Sequence, residues 1–118
     1  MGQQVLFVSV QQSFDAGFSL AELEPWVASA WAVSVSKASA ADRVVAVVDG
    51  EPVASWRVRG AFATDEVYRL SNGDTRPRVG LALGDPLPIL PEYRAVPTLR
   101  RGVAVKNLEV APLPRERE

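Results

Sequence analysis

Trp31, Ser34 and Lys37 follow one another at three-residue intervals. The Trp31 indole could stack on a planar ring, the Ser34 hydroxyl could donate to a ligand, and the Lys37 ammonium could meet a phosphate. Arg57 and Arg59 lie two apart in a stretch that alternates like a strand. Alternation puts them on one face, with Cα atoms about 7 Å apart. That matches the spacing of successive phosphates along one nucleic-acid strand, and guanidinium groups suit phosphates well. Arg100 and Arg101, followed by Lys106 and Asn107, form a second basic cluster. The Asn107 amide could pair with a base edge. These residue types together point to recognition of an anionic, planar ligand.

Bond-breaking chemistry has much less to work with. The 118 residues contain no cysteine and no histidine. Disulfides, thiolate metal sites, Ser-His-Asp and Cys-His catalysis and zinc-deaminase chemistry are therefore excluded. The loop carboxylates Asp65, Glu66 and Asp74 fix no pair of the kind a glycosidase or a metal cage needs. The glycines are isolated, so there is no phosphate-cradling loop. The reading is a binding module, not an enzyme, with no catalytic residue, metal or cofactor.

The formal net charge is −1, but it is unevenly spread. Residues 1–56 carry two bases and six acids, and residues 57–118 carry eleven bases and eight acids. Arginine outnumbers lysine eleven to two, which fits a GC-rich genome such as that of an actinobacterium or one of its phages. No apolar run approaches the roughly 20 residues that cross a bilayer. The N-terminus has neither the basic flank of a signal peptide nor a Ser or Thr at the myristoylation position, where Leu6 stands. A cytoplasmic protein without membrane partners is expected.

The elements that must position these residues are mostly strands. Val5–Gln11 reads as a first strand, buried on both faces. Ser19 and Glu22 form a capping box, with Phe18 and Leu23 as a hydrophobic staple, so a helical segment is expected to start at Ser19. Pro25 kinks it or restarts it. From Trp31 the period changes to two, and residues 37–42 read as a turn or a single helical turn. Val44–Val48 and Val53–Phe62 flank Asp49-Gly50, a strong hairpin signal. Alternation places Ala54, Trp56, Val58 and Phe62 on one face, and Val53, Ser55, Arg57 and Arg59 on the other. Further strands are expected at Val67–Ser71, Arg78–Leu83 and Val103–Val110, with a turn at Asn72-Gly73-Asp74. Four prolines within 84–97 predict a surface loop. Residues 1–110 are read as one domain and 111–118 as a disordered tail.

The order of these elements, with Ala30–Ser34, Asp42–Gly50 and Val53–Gly60 as its clearest parts, resembles the PUA-like superfamily that holds PUA, ASCH, EVE and YTH domains. Arg101–Val110 extends the likeness. The resemblance implies a mainly β (α+β) fold, a small barrel of about six strands with an N-terminal helical segment. It also implies binding of RNA, or of DNA with modified bases, in a cleft beside the barrel. Trp31 and Ser34 match the segment lining that cleft, with Lys37 and Arg43 flanking it. The ASCH motif Gly-x-Lys-x-x-Glu-x-Arg is absent. The expected ligand-binding residues are thus Trp31, Ser34, Lys37, Arg57, Arg59, Arg101 and Asn107. The alternative is a small accessory protein, in a phage for example, that binds a partner protein through the Pro-rich loop or an exposed edge strand.

Overall fold

In the computed structural model, residues 3–10, 27–28, 31, 33, 35–48, 50–97, 102–110 and 113 are described. The chain is mainly β. Strand β1 (Gln3–Ser9) is followed by helix α1 (Val35–Ala40), β2 (Arg43–Val48), β3 (Glu51–Arg69), β4 (Thr75–Leu87), a 3₁₀ turn (Pro91–Arg94) and β5 (Val103–Leu108). The strands form one sheet in the order β4-β3-β2-β1-β5. β1 and β2 run parallel and the other pairs are antiparallel. The described strands do not close into the expected barrel, because β4 and β5 remain edges. Of the helical segment expected from Ser19, only Val27 and Ala28 lie within the described residues. The tail at 111–118 lies outside them except for Leu113. No helix among the described residues is long and apolar enough to cross a membrane.

β1 and β2 are central strands buried on both faces, as their continuous apolar runs require. On the first face Leu6, Val8, Val44 and Ala46 pack with Ala54, Trp56 and Ala38 of α1. On the second face Val5, Phe7, Val45 and Val47 pack with Tyr93 of the 3₁₀ turn, Leu108 and Val110. Phe7 and Tyr93 meet edge to face, their ring centroids 6.4 Å apart. That geometry is the one aromatic quadrupoles favour.

β2 and β3 are joined through Gly50, with Val48 opposite Glu51. Gly50 has φ +78°, the left-handed backbone that such tight hairpins need. One residue is inserted in β3 between Pro52 and Ala54, so Val53 packs against the same cluster as Ala54 instead of facing away.

The strands expected at Val53–Phe62 and Val67–Ser71 are a single strand of 19 residues. Only its first part, Glu51–Arg57, pairs with β2; the remainder pairs with β4 alone. The result is a two-stranded arm that runs beyond the sheet. Besides a register shift between Trp56 and Val58 at its base, two irregularities shape it. Between Val58↔Leu83 and Gly60↔Ala82, Arg59 is an extra residue, which reverses the alternation. Ala61 therefore packs on the core and Phe62 turns outward, 51% exposed, contrary to the face expected for it. The Phe62 ring lies over Gly80, where an added Cβ would come within 2.6 Å of it. The second irregularity, at Thr64–Glu66, is held by Thr64, whose Oγ1 donates to the Arg78 carbonyl at 2.8 Å.

β4 also extends further than expected, taking in Gly84–Leu87, part of the stretch read as loop. Pro77 and Pro86 fit there because β4 is an edge strand. Trp31 forms a single bridge to Val79, its N–H and carbonyl each 2.9 Å from their partners.

Candidate ligand-binding groove

A cavity of about 700 Å³ opens between α1, β5 and the far end of β3, and Lys37, Ser36, Gln4, Tyr68, Val103 and Val105 line it. A second cavity of about 260 Å³ shares Val33 and Tyr68 with the first and adds Val35, Arg76 and Val79. The two therefore form one groove with Tyr68 at the junction. Its floor is valine and its rim carries Lys37 at one end and Arg76 at the other. No Asp or Glu is among the described residues lining either part. The α1 backbone presents Ser36, Lys37 and Ala40 to the groove while Ala38 is buried in the core.

Tyr68 is placed by the arm. It sits opposite Arg76 in the β3–β4 register, and the Arg78 guanidinium carbon lies 5.9 Å from its ring centroid. That contact is within cation–π range and orients the ring. The turn linking the two strands is set by Gly73 at φ +93° and by the Leu70 N–H, which donates to the Asp74 carbonyl at 2.7 Å.

The residues singled out in the sequence scatter around this groove. Lys37 lines it. Asn107 pairs with Gln4, a lining residue, so it stands at the groove's edge. Trp31 is half-buried and not in the lining. Its indole N–H donates to the Val27 carbonyl at 2.8 Å, and its ring lies 3.6 Å from where Gly102 would carry a Cβ. Arg57 lies directly across from Arg43 on the second face, away from the groove. Arg59 is the inserted residue of its bulge, so the two arginines do not share the regular alternation that was expected. Ser34 and Arg101 lie outside the described residues.

Arg43, expected to flank a cleft, is a core residue instead. Its side chain is 2% exposed and forms a two-pronged ion pair with Asp42, Nε to Oδ1 and Nη2 to Oδ2, both 2.9 Å. Nη1 donates to the Tyr93 hydroxyl at 3.2 Å. The Asp42 carboxylate raises the guanidinium above its ordinary value against the opposing effect of burial, and Tyr93 adds to the rise. The position in a central strand explains the correction: both faces of β2 are covered, so a charge at its start must be neutralised in place.

Gln4, Tyr68 and Arg76 were missed as groove residues, and Arg78 as the cation against the Tyr68 ring. The signal for three of them was present in the Asn72-Gly73-Asp74 turn. Folding the chain back at that turn sets Tyr68 against Arg76, with Arg78 next on the same face. Among the described residues no group of three or more acidic side chains could hold a metal ion. Comparison of the chain with protein-family models, with curated proteins and with solved structures finds no match to any of them.

Proposed function

We propose that the chain is a non-catalytic module that binds nucleic acid, or a modified nucleotide, in the groove between α1 and the β3–β4 arm. The observation that carries this reading is the groove's composition: an aromatic ring at its centre, a cation at either end, an apolar floor and no described acid. A base gains about 1–3 kcal/mol by stacking on such a ring, and cations beside it meet the phosphates. The fold reading that accompanies it is a PUA-like one; the mainly β sheet is consistent with it, although the described strands stay open at β4 and β5.

The test is fluorescence anisotropy with labelled single- and double-stranded DNA and RNA, with and without modified bases. Binding at low salt that weakens about ten-fold or more between about 50 and 200 mM salt is expected. Lys37→Glu should weaken it about ten-fold at the lower salt. Absence of binding to every one of these ligands would overturn the proposal.

A second reading, a module that binds a partner protein, is favoured by the open edge of β5. The Ser9 N–H donates to the Gly102 carbonyl at 2.7 Å, which fixes which β5 residues bond β1. By alternation Val103, Val105 and Asn107 then turn their backbone groups outward. Strand addition to that edge requires the Val105 N–H. Val105→Pro removes this donor without touching the β1 ladder, and it should abolish capture of such a partner. Unchanged capture would discard strand addition.

A further inference from the structure

The arm and the groove together narrow the class of ligand. We infer that the ligand is a single-stranded oligonucleotide several nucleotides long, with one unpaired base on Tyr68 and flanking phosphates on Lys37 and on Arg76. This rests on the nucleic-acid reading of the groove and goes beyond it.

Three observations carry the inference. First, the cations stand on both sides of the ring: Lys37 comes from α1 and Arg76 from β4, in cavities that meet only at Val33 and Tyr68. A free mononucleotide stacked on Tyr68 has its phosphate on one side and can satisfy one end of the groove. A strand continues past the base in both directions and satisfies both. Second, Arg76 lines the smaller cavity from β4, two residues before Arg78, whose guanidinium lies against the Tyr68 ring. Arg76 is exposed and donates only to its neighbour's carbonyl, Thr75 O at 3.1 Å, among the hydrogen bonds of the described residues. Of the arm's acids, Asp74 is held in the turn by Asn72, whose amide donates to its Oδ2 at 3.2 Å, and Asp65 and Glu66 stand in the bulge across from Arg78, one step along β4 from Pro77. Third, α1 and Tyr68 face each other across a single cavity of about 700 Å³. A duplex, whose major groove alone is about 12 Å wide, is too broad to enter it, and its paired bases present no free ring face to Tyr68. One face of that ring is taken by Arg78, so an incoming base would complete a three-layer stack of guanidinium, phenol and base.

The test compares three probes in one anisotropy competition: a single strand of about ten nucleotides, the same sequence as a duplex, and the corresponding mononucleotides. The single strand is expected to bind about 100-fold more tightly than any mononucleotide, and more tightly than the duplex. Arg76→Glu, an exposed change whose fold is checked by circular dichroism, should weaken the single strand about ten-fold. It should also reduce the slope of log affinity against log salt by about 0.7 for one lost phosphate contact. Mononucleotide affinity should not change. A mononucleotide that binds as tightly as the strand would overturn the inference while leaving the groove as a nucleotide site. Duplex binding equal to or tighter than single-strand binding would overturn it too. Failure of all three probes to bind would remove the nucleic-acid reading itself, and the inference with it.

Discussion

Asp42→Ala lowers the folding stability by about 3 kcal/mol, because it leaves the Arg43 guanidinium buried without its counter-ion. The Arg43 side chain is 2% exposed and Asp42 27%. Removing one partner of a fully buried pair costs about 3–5 kcal/mol, and water at the Asp42 side places this pair near the lower end. The Tyr93 hydroxyl, which accepts from Nη1 at 3.2 Å, carries no charge to replace that of Asp42. Urea melts measure the loss as a shift in midpoint at constant slope. The double variant Asp42→Ala/Arg43→Met takes away the charge as well and should recover most of the loss, since an apolar side chain of similar volume can replace a buried ion pair at little cost. A single variant within about 0.5 kcal/mol of the parent would show that Asp42 does not hold Arg43. The sign with pH follows from the raised guanidinium. Its contribution is fully present below the ordinary arginine value and is lost only in strong base, so between neutral and mildly alkaline pH it should be constant.

Trp56→Ala removes the largest fully buried side chain of the first face, and a loss of about 4 kcal/mol follows. The indole pairs across from Val44 on β2 and Pro86 on β4, so it fills the space where the sheet gives way to the arm. For a domain of this size such a loss lowers the melting temperature by about 15 °C. Trp56→Phe keeps most of the buried area and should cost about half as much. Thermal melts followed by far-ultraviolet circular dichroism check both. An alanine variant that melts within a few degrees of the parent would mean that the core closes over the gap. Ligand affinity offers a second readout. The groove residues Lys37 and Arg76 are not in contact with Trp56 through the ladder, so the alanine variant should bind as the parent does at temperatures where it is folded.

Much of this architecture is legible in the sequence, and the reasons are local. The Asp49-Gly50 turn announces its hairpin because only a few residue types tolerate the backbone it needs, and Gly50 takes that conformation. The inward face of Ala54, Trp56 and Val58 follows from simple alternation, as does the two-sided burial of β1. Lys37, a cation on a short helical turn in the sequence, lines the groove. What was not legible depended on pairing between distant segments. Residues 63–66 look like a break between two strands because Asp65 and Glu66 are poor strand formers. The Thr64 hydroxyl, bonded to Arg78 on the opposite strand, carries the chain through instead. Arg43 looked like surface chemistry because an arginine is rarely buried, and its cover comes from Tyr93, fifty residues away in sequence. The groove aromatic is Tyr68 and not Trp31, because which ring faces the cavity is decided by the twist of an arm whose length the sequence does not display.

The extra residue at Arg59 has a consequence for how the gene can drift. Upstream of it even-numbered positions of β3 face the core; past it Ala61 does and Phe62 does not. Substituting Arg59 leaves that phase untouched, since a bulge is made by the count of residues and not by the side chain. Deleting it restores strict alternation, and every later side chain of the arm then exchanges faces. Phe62 would turn inward onto the core, and Tyr68 and its partners across the ladder would leave the groove. A scan of single-codon deletions along 51–69 should therefore show tolerance that collapses at this point, more steeply than missense changes at Arg59 do. The count of residues here is a constraint of its own, one that a substitution profile alone would never reveal.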